Sequence, residues 1–157
     1  IISTRESQAV RERVLHLGVS QLSGGSKTSV GGYTTVEPEG AKTDQFELED
    51  TRTLDEVVHW LMEMDYLPSF CTACYREGRT GDRFMELCKS KQILNCCHPN
   101  ALITLKEYLD DYACEETKQL GIDLIERELE NIPKEKVREL TMQHIKDIEN
   151  GQRDFRF

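Results

Sequence analysis

The residues in this chain best suited to chemistry are its six cysteines: Cys71, Cys74, Cys88, Cys96, Cys97 and Cys114. Cys71-x-x-Cys74 is a spacing that lets two thiolates from one turn reach a common centre, and Cys96, Cys97 and His98 follow further along the chain. A thioredoxin-like dithiol would need that pair at a strand-to-helix junction, but here the preceding helical pattern runs into Pro68. Two metal readings stay open on residue type alone. Cys71, Cys74, Cys97 and His98 make a Cys3His zinc set in a helical module used for protein interaction. Three thiolates can instead hold an iron–sulfur cluster with one iron left open. The pattern leans slightly to zinc. Cys88 and Cys114 fall inside helical patterns, where a cysteine reads as core filling.

The bulk properties bound these readings. The chain has 157 residues, 38% hydrophobic and 31% charged, with a formal net charge of −9. That balance predicts a globular protein with a core of its own and argues against a general nucleic-acid binder, which needs basic surface. No apolar run approaches the roughly 18 residues that span a bilayer. No signal peptide is visible, so the thiols are expected in a reducing, cytoplasmic setting. The chain opens on Ile-Ile without methionine. We therefore expect it to be the C-terminal part of a longer protein.

Hydrophobic periodicity predicts a mainly α fold in three stretches. Residues 1–33 read strand, helix, strand: "IIST", then "RESQAVRERVLHLG" with Val10, Val14 and Leu15 on one side and Gly18 as its stop, then "VSQLS". Such an order suggests parallel strands whose neighbours lie outside the chain. Residues 34–52 read as a linker, and residues 53–157 as a helical domain. In that domain Thr53 and Glu56 form a capping box ahead of the stripe Leu54, Val57, Val58, Leu61 and Met62. Pro68 is expected to end this helix and Thr80 to cap a short one through Cys88. Pro99 suits the first turn of a helix bearing Leu102, Leu105, Leu109 and Tyr112. Two further helices carry Leu124, Ile125 and Leu129, then Val137, Leu140, Ile145 and Ile148, with Gly151 as the last stop. His144 reads as a satisfied core histidine, and "RDFRF" as a tail whose aromatics pack on the helices.

The words "PSFCTACYREGRTGDRFM" and "PNALITLKEYLDDYA", with a C-x2-C-x22-C pattern ending at Cys97, resemble the HydG family of [FeFe]-hydrogenase maturases. These are radical-SAM tyrosine lyases related to the thiazole-synthase lyase ThiH, which lacks the cysteine triad. "STRES" and "GVSQLSGGSKTSVGGY" resemble the last strands of the barrel shared by both.

The resemblance implies a helical auxiliary-cluster domain over 53–157, preceded over 1–33 by the last piece of a radical-SAM (β/α) barrel. It implies that Cys71, Cys74 and Cys97 hold a 4Fe-4S auxiliary cluster with an open iron that can carry an extra iron. In the complete enzyme, tyrosine is cleaved using S-adenosylmethionine and a second 4Fe-4S cluster. The resulting dehydroglycine yields carbon monoxide and cyanide for assembly of the hydrogenase H-cluster. Arg5 and Ser20 are implied as contacts to the substrate carboxylate. The implied partners are the upstream barrel, tyrosine, free cysteine and other hydrogenase maturation proteins, in the cytoplasm of an anaerobic bacterium, with no nucleic acid and no membrane. The C-x3-C-x2-C signature of the barrel cluster is absent from this sequence. The chain alone is thus expected to be inactive. Arg76, Arg79 and Arg83 crowd the cysteine pair and read either as charge compensation or as a solvated basic turn.

Overall fold

The computed structural model describes residues 1–29, 31–34 and 46–157. The expected linker therefore lies for the most part outside the described residues. The mainly α expectation holds. The described residues contain seven α-helices: α1 Gln8–His16, α2 Leu54–Glu63, α3 Ala73–Arg76, α4 Asp82–Lys89, α5 Cys97–Asp111, α6 Glu115–Leu129 and α7 Glu135–Glu149. A 3-10 turn at Gln92–Asn95 precedes α5. No helix among the described residues is long and apolar enough to cross a membrane. The chain divides into two compact units, Ile1–Val57 and Val58–Phe157, with the boundary inside α2.

In the first unit the two expected strands shrink to a single parallel bridge, Ile2 with Leu22, made by Ile2 N–H to Gln21 C=O and Ser23 N–H to Ile2 C=O, each 2.9 Å. Gly18 does end α1, at φ +90°. The face of α1, however, is not the one its apolar residues suggest: Val10 is exposed, while Arg11 is fully buried beside Leu15. Arg11 reverses the usual rule for charge because it is paired. Its guanidinium donates to the Asp50 carboxylate and to the Ser23 carbonyl. Asp50 also accepts from Arg52, at 2.9 and 2.6 Å, and its own backbone N–H donates to the Thr4 carbonyl at 3.0 Å. Hydrogen bonds from Arg52 outweigh burial and, together with the Arg11 charge, hold the Asp50 carboxyl down at about 2.

Gly24 and Gly25 pass against the start of α2, where a Cβ on Gly25 would come within 3.1 Å of the Leu54 backbone nitrogen. The capping box of α2 forms as expected: Thr53 N–H donates to Glu56 at 2.7 Å, and Glu56 N–H donates back to Thr53 Oγ1 at 3.2 Å.

The second unit is organised on α5. Nine of its residues are buried, from Pro99 to Leu109, and it packs against both α6 and α7. Leu102, Leu105, Tyr108 and Leu109 meet Val58 and Met62 of α2, Leu124 and Ile125 of α6, and Ile132. Gly121 of α6 permits that approach, since a Cβ there would sit 2.4 Å from a Leu109 methyl carbon. Lys106, 5% exposed, ties the helices together by donating to Asp110 at 2.8 Å and lying 3.3 Å from Glu149; Lys118 reaches Asp110 at 3.0 Å.

Several boundaries differ from the sequence reading. α2 stops at Glu63, where Asp65 takes φ +59°, before Pro68 is reached. Gly81, and not Thr80, occupies the N-cap of α4, at φ +57°. Tyr112 is exposed because α5 ends one residue before it. Leu140 is likewise exposed.

The Asp50 knot sets the acid limit of the first unit. A carboxyl lowered in the folded state stabilises above its unfolded value near 3.9 and loses that contribution as pH falls toward 2. We expect amide protection around Thr4, Arg11 and Ser23 to fall in that window in hydrogen-exchange titrations. Asp50→Ala leaves a buried guanidinium without its carboxylate and should cost about 3–5 kcal/mol in urea denaturation.

Candidate metal centre

Cys71 and Cys74 flank the start of the four-residue helix α3, and local chemistry fixes both. Gly78 at φ +61° ends α3 and turns the chain so that Arg79 N–H donates to the Cys74 carbonyl at 2.8 Å, a Schellman closure. Cys71 Sγ accepts the Ala73 backbone N–H at 3.4 Å. Just before it, Phe70 N–H donates to Thr104 of α5 at 3.2 Å, and the Phe70 ring stacks on Tyr108 with centroids 4.8 Å apart. The cysteine turn is thus laid along α5.

Cys97 is the first residue of α5, so the cysteine that follows the long return loop sits at the amino end of the best-buried helix. Cys96 and Cys97 sulfurs are 3.9 Å apart. Cys96 donates its thiol hydrogen to the Gln92 carbonyl at 3.4 Å. Burial pushes the Cys97 thiol up to about 12, and Cys96, Cys74 and Cys71 add to that rise. Arg79, whose backbone N–H closes on Cys74, and Asn100, three residues after Cys97, both donate to the Phe157 carbonyl, which ties the cysteine turn to the start of α5. His98 is turned elsewhere: its Nε2 donates to the Glu128 carbonyl at 3.0 Å and lies 3.3 Å from the Glu128 carboxylate.

The remaining cysteines depart from the sequence reading. Cys114 is exposed, at the N-cap of α6 with its sulfur 3.3 Å from Thr117 Oγ1, and is not core filling. Cys88 is half-buried on α4, a helix with no buried residue.

Among the described residues, no three His, Cys, Asp or Glu side chains converge closely enough to hold a single metal ion. The donor chemistry is that of three thiols, Cys71, Cys74 and Cys97, each of which would have to reach a different iron of a cluster. Arg79 adds a second sign of fit: its Nε is buried with no hydrogen-bond partner among the described residues. A buried donor without an acceptor is costly, and a sulfide- or thiolate-bearing group next to it would relieve that cost.

Arg76 is exposed, as a solvated turn would have it, and Arg79 is half-buried; both are paired with the chain's last residues. Arg76 donates to Asp154 at 3.0 Å, and Arg79 Nη2 donates to the Phe157 carbonyl at 2.8 Å. Arg5, in the first unit, is exposed with its guanidinium 4.1 Å from the Phe46 ring centroid. Ser20, also exposed, precedes the Ile2–Leu22 bridge on the amino side, whereas Arg5 follows it on the carboxyl side.

The chain is of a class that joins a cysteine-bearing helical unit to a segment, residues 1–67, that matches the biotin and thiamin synthesis associated domain. Over 99% of its length the chain is 51% identical to HydG, described as a maturase of the [FeFe]-hydrogenase, with a TM-score of 0.89. It corresponds to a C-terminal part of a HydG-type protein and spans 33% of the length of that structure's chain. No curated protein matches it.

The metal-free thiols should rank by exposure and thiolate fraction. At pH 8 iodoacetamide should label Cys114 about ten times faster than Cys97, or more, as read by peptide mass spectrometry.

Proposed function

We propose that the chain carries the auxiliary iron–sulfur centre of a HydG-type hydrogenase maturase, with Cys71, Cys74 and Cys97 as its protein ligands. The observation that carries this reading is the 51% identity to HydG over 99% of the chain, with Cys71, Cys74 and Cys97 at the C-x2-C-x22-C spacing. His98 and Cys96 are engaged with Glu128 and Gln92. Neither stands ready as a fourth ligand, which favours a three-thiolate cluster over the Cys3His zinc site.

Such a cluster, when bound, supplies an iron without a protein thiolate, where small ligands and an extra iron can attach. The chain's own residues do the rest. Gly78 and the Schellman closure hold Cys74, Phe70 holds Cys71 against α5, and the α5 amino terminus presents Cys97. In the complete protein this centre would serve the conversion of tyrosine-derived dehydroglycine to carbon monoxide and cyanide for H-cluster assembly, in the cytoplasm, downstream of a radical-SAM barrel. Arg5 and Ser20 belong to that barrel segment as proposed contacts to the tyrosine carboxylate. Free cysteine and the other maturation proteins are proposed partners on the same ground.

Anaerobic reconstitution with iron and sulfide tests the reading. The protein should turn brown and bind close to four irons. Alanine at Cys71, Cys74 or Cys97 should abolish or strongly reduce that content, while Cys88→Ala, Cys96→Ala and Cys114→Ala keep it. Added cysteine or cyanide should change the EPR spectrum of the reduced cluster. A colourless protein that takes up one zinc, or loss of iron with Cys96→Ala and not with Cys97→Ala, would overturn the assignment.

A further inference from the structure

The last five residues, Arg153–Phe157, cross the second unit as a strap. Arg153 donates to Asp111 at 2.6 and 3.0 Å, and Asp154 N–H donates to Glu107 at 2.8 Å, so the strap lies along α5. On its other side Arg76 of α3 donates to Asp154, and Arg156 donates to Glu77 at 3.0 Å, which anchors it to the cysteine turn. Its aromatics close over α7: Phe155 stacks on His144 at 4.3 Å, and Phe157 meets the same ring edge-on at 5.6 Å.

One junction joins the two halves of the metal site. Asn100, 2% exposed and three residues after Cys97, accepts Phe157 N–H on Oδ1 at 2.9 Å and donates from Nδ2 to the Phe157 carbonyl at 3.3 Å. Its amide reads the Phe157 backbone as a neighbouring strand would. The same carbonyl accepts from Arg79, whose backbone N–H closes on Cys74. A continuous path therefore runs from Cys97 through Asn100, the Phe157 backbone and Arg79 to Cys74. Every link is a hydrogen bond or a short stretch of chain; Asn100 is buried, and Arg79 and Phe157 are half-buried.

We propose that this strap fixes the spacing of Cys74 from Cys97 before any iron arrives, with Asn100 and Arg79 as positioning residues for the auxiliary cluster. The geometry stands on the metal-free fold; the consequence for iron rests on the cluster reading above.

Two variants probe it: deletion of residues 153–157, and Asn100→Asp, which keeps the side-chain shape while setting a carboxylate against the Phe157 carbonyl. Arg127→Ala, which removes an exposed pair with Asp65, is the control. Far-UV circular dichroism reports whether the helices persist. With helices intact, hydrogen exchange in the metal-free protein should speed up over residues 71–79 in both variants and not in the control. After reconstitution, iron should pass to a chelator about 10- to 100-fold faster, and the EPR spectrum of the reduced cluster should shift. Wild-type exchange over 71–79 in the strapless protein would overturn the proposal, whatever its iron content. If the wild type binds no iron while the variants still loosen residues 71–79, the strap stands and the cluster reading falls.

Discussion

The burial of α5 is the constraint on which the rest of the second unit depends. A helix that must hide residues from Pro99 to Leu109 needs partners on several sides, and α2, α6, Ile132 and α7 supply them. Burial also dictates the polar chemistry along its length. Lys106 cannot be left alone in such a place and is met by Asp110 and Glu149. Asn100 is met by the backbone of Phe157. Cys97 starts this same helix, so the cysteine whose ionisation burial opposes most is also the one whose position is best fixed.

Charge in this acidic chain is handled by local closure. Arg11 is buried at the Asp50 carboxylate, and Arg52 completes that knot. The arginines after the cysteine pair are spent on the tail: Arg76 on Asp154 and Arg79 on the Phe157 carbonyl. The ion pairs at the strap are exposed, and each alone contributes little. Their effect lies in number and placement, since they align a short segment whose buried contact is the Asn100 amide. The stronger term is the penalty for leaving that amide, or the Arg79 guanidinium, buried without partners.

Much of the helical layout was legible in the sequence because its causes are local. The Thr53–Glu56 box, the stripe of Val57, Val58 and Met62, and the run Leu102, Leu105, Leu109 follow from capping and from the helical period. Element ends were read less well. Proline and threonine marked Pro68 and Thr80, but the chain turned where Asp65 and Gly81 could take positive φ. Within the candidate site, Cys71, Cys74 and Cys97 stood out by type and spacing, and Arg79 and the RDFRF tail were singled out without their bond to each other, whereas Asn100 carried no signal, an asparagine inside a helix being usually a solvated residue.

What the sequence by itself determined is the set of helices, the cysteines able to ligate, and a family resemblance carried by words around them. What only tertiary structure decided is which of the neighbouring groups are already engaged. His98 looks like a ligand until Glu128, thirty residues on, takes its Nε2. Cys96 looks equivalent to Cys97 until the Gln92 carbonyl takes its hydrogen. Arg11 looks like the solvent face of α1 until Asp50 draws it inside. The physical reason is common to all three. Periodicity records how a residue sits on its own element, but the cost of burying a polar group is set by a partner that chain folding brings from far away.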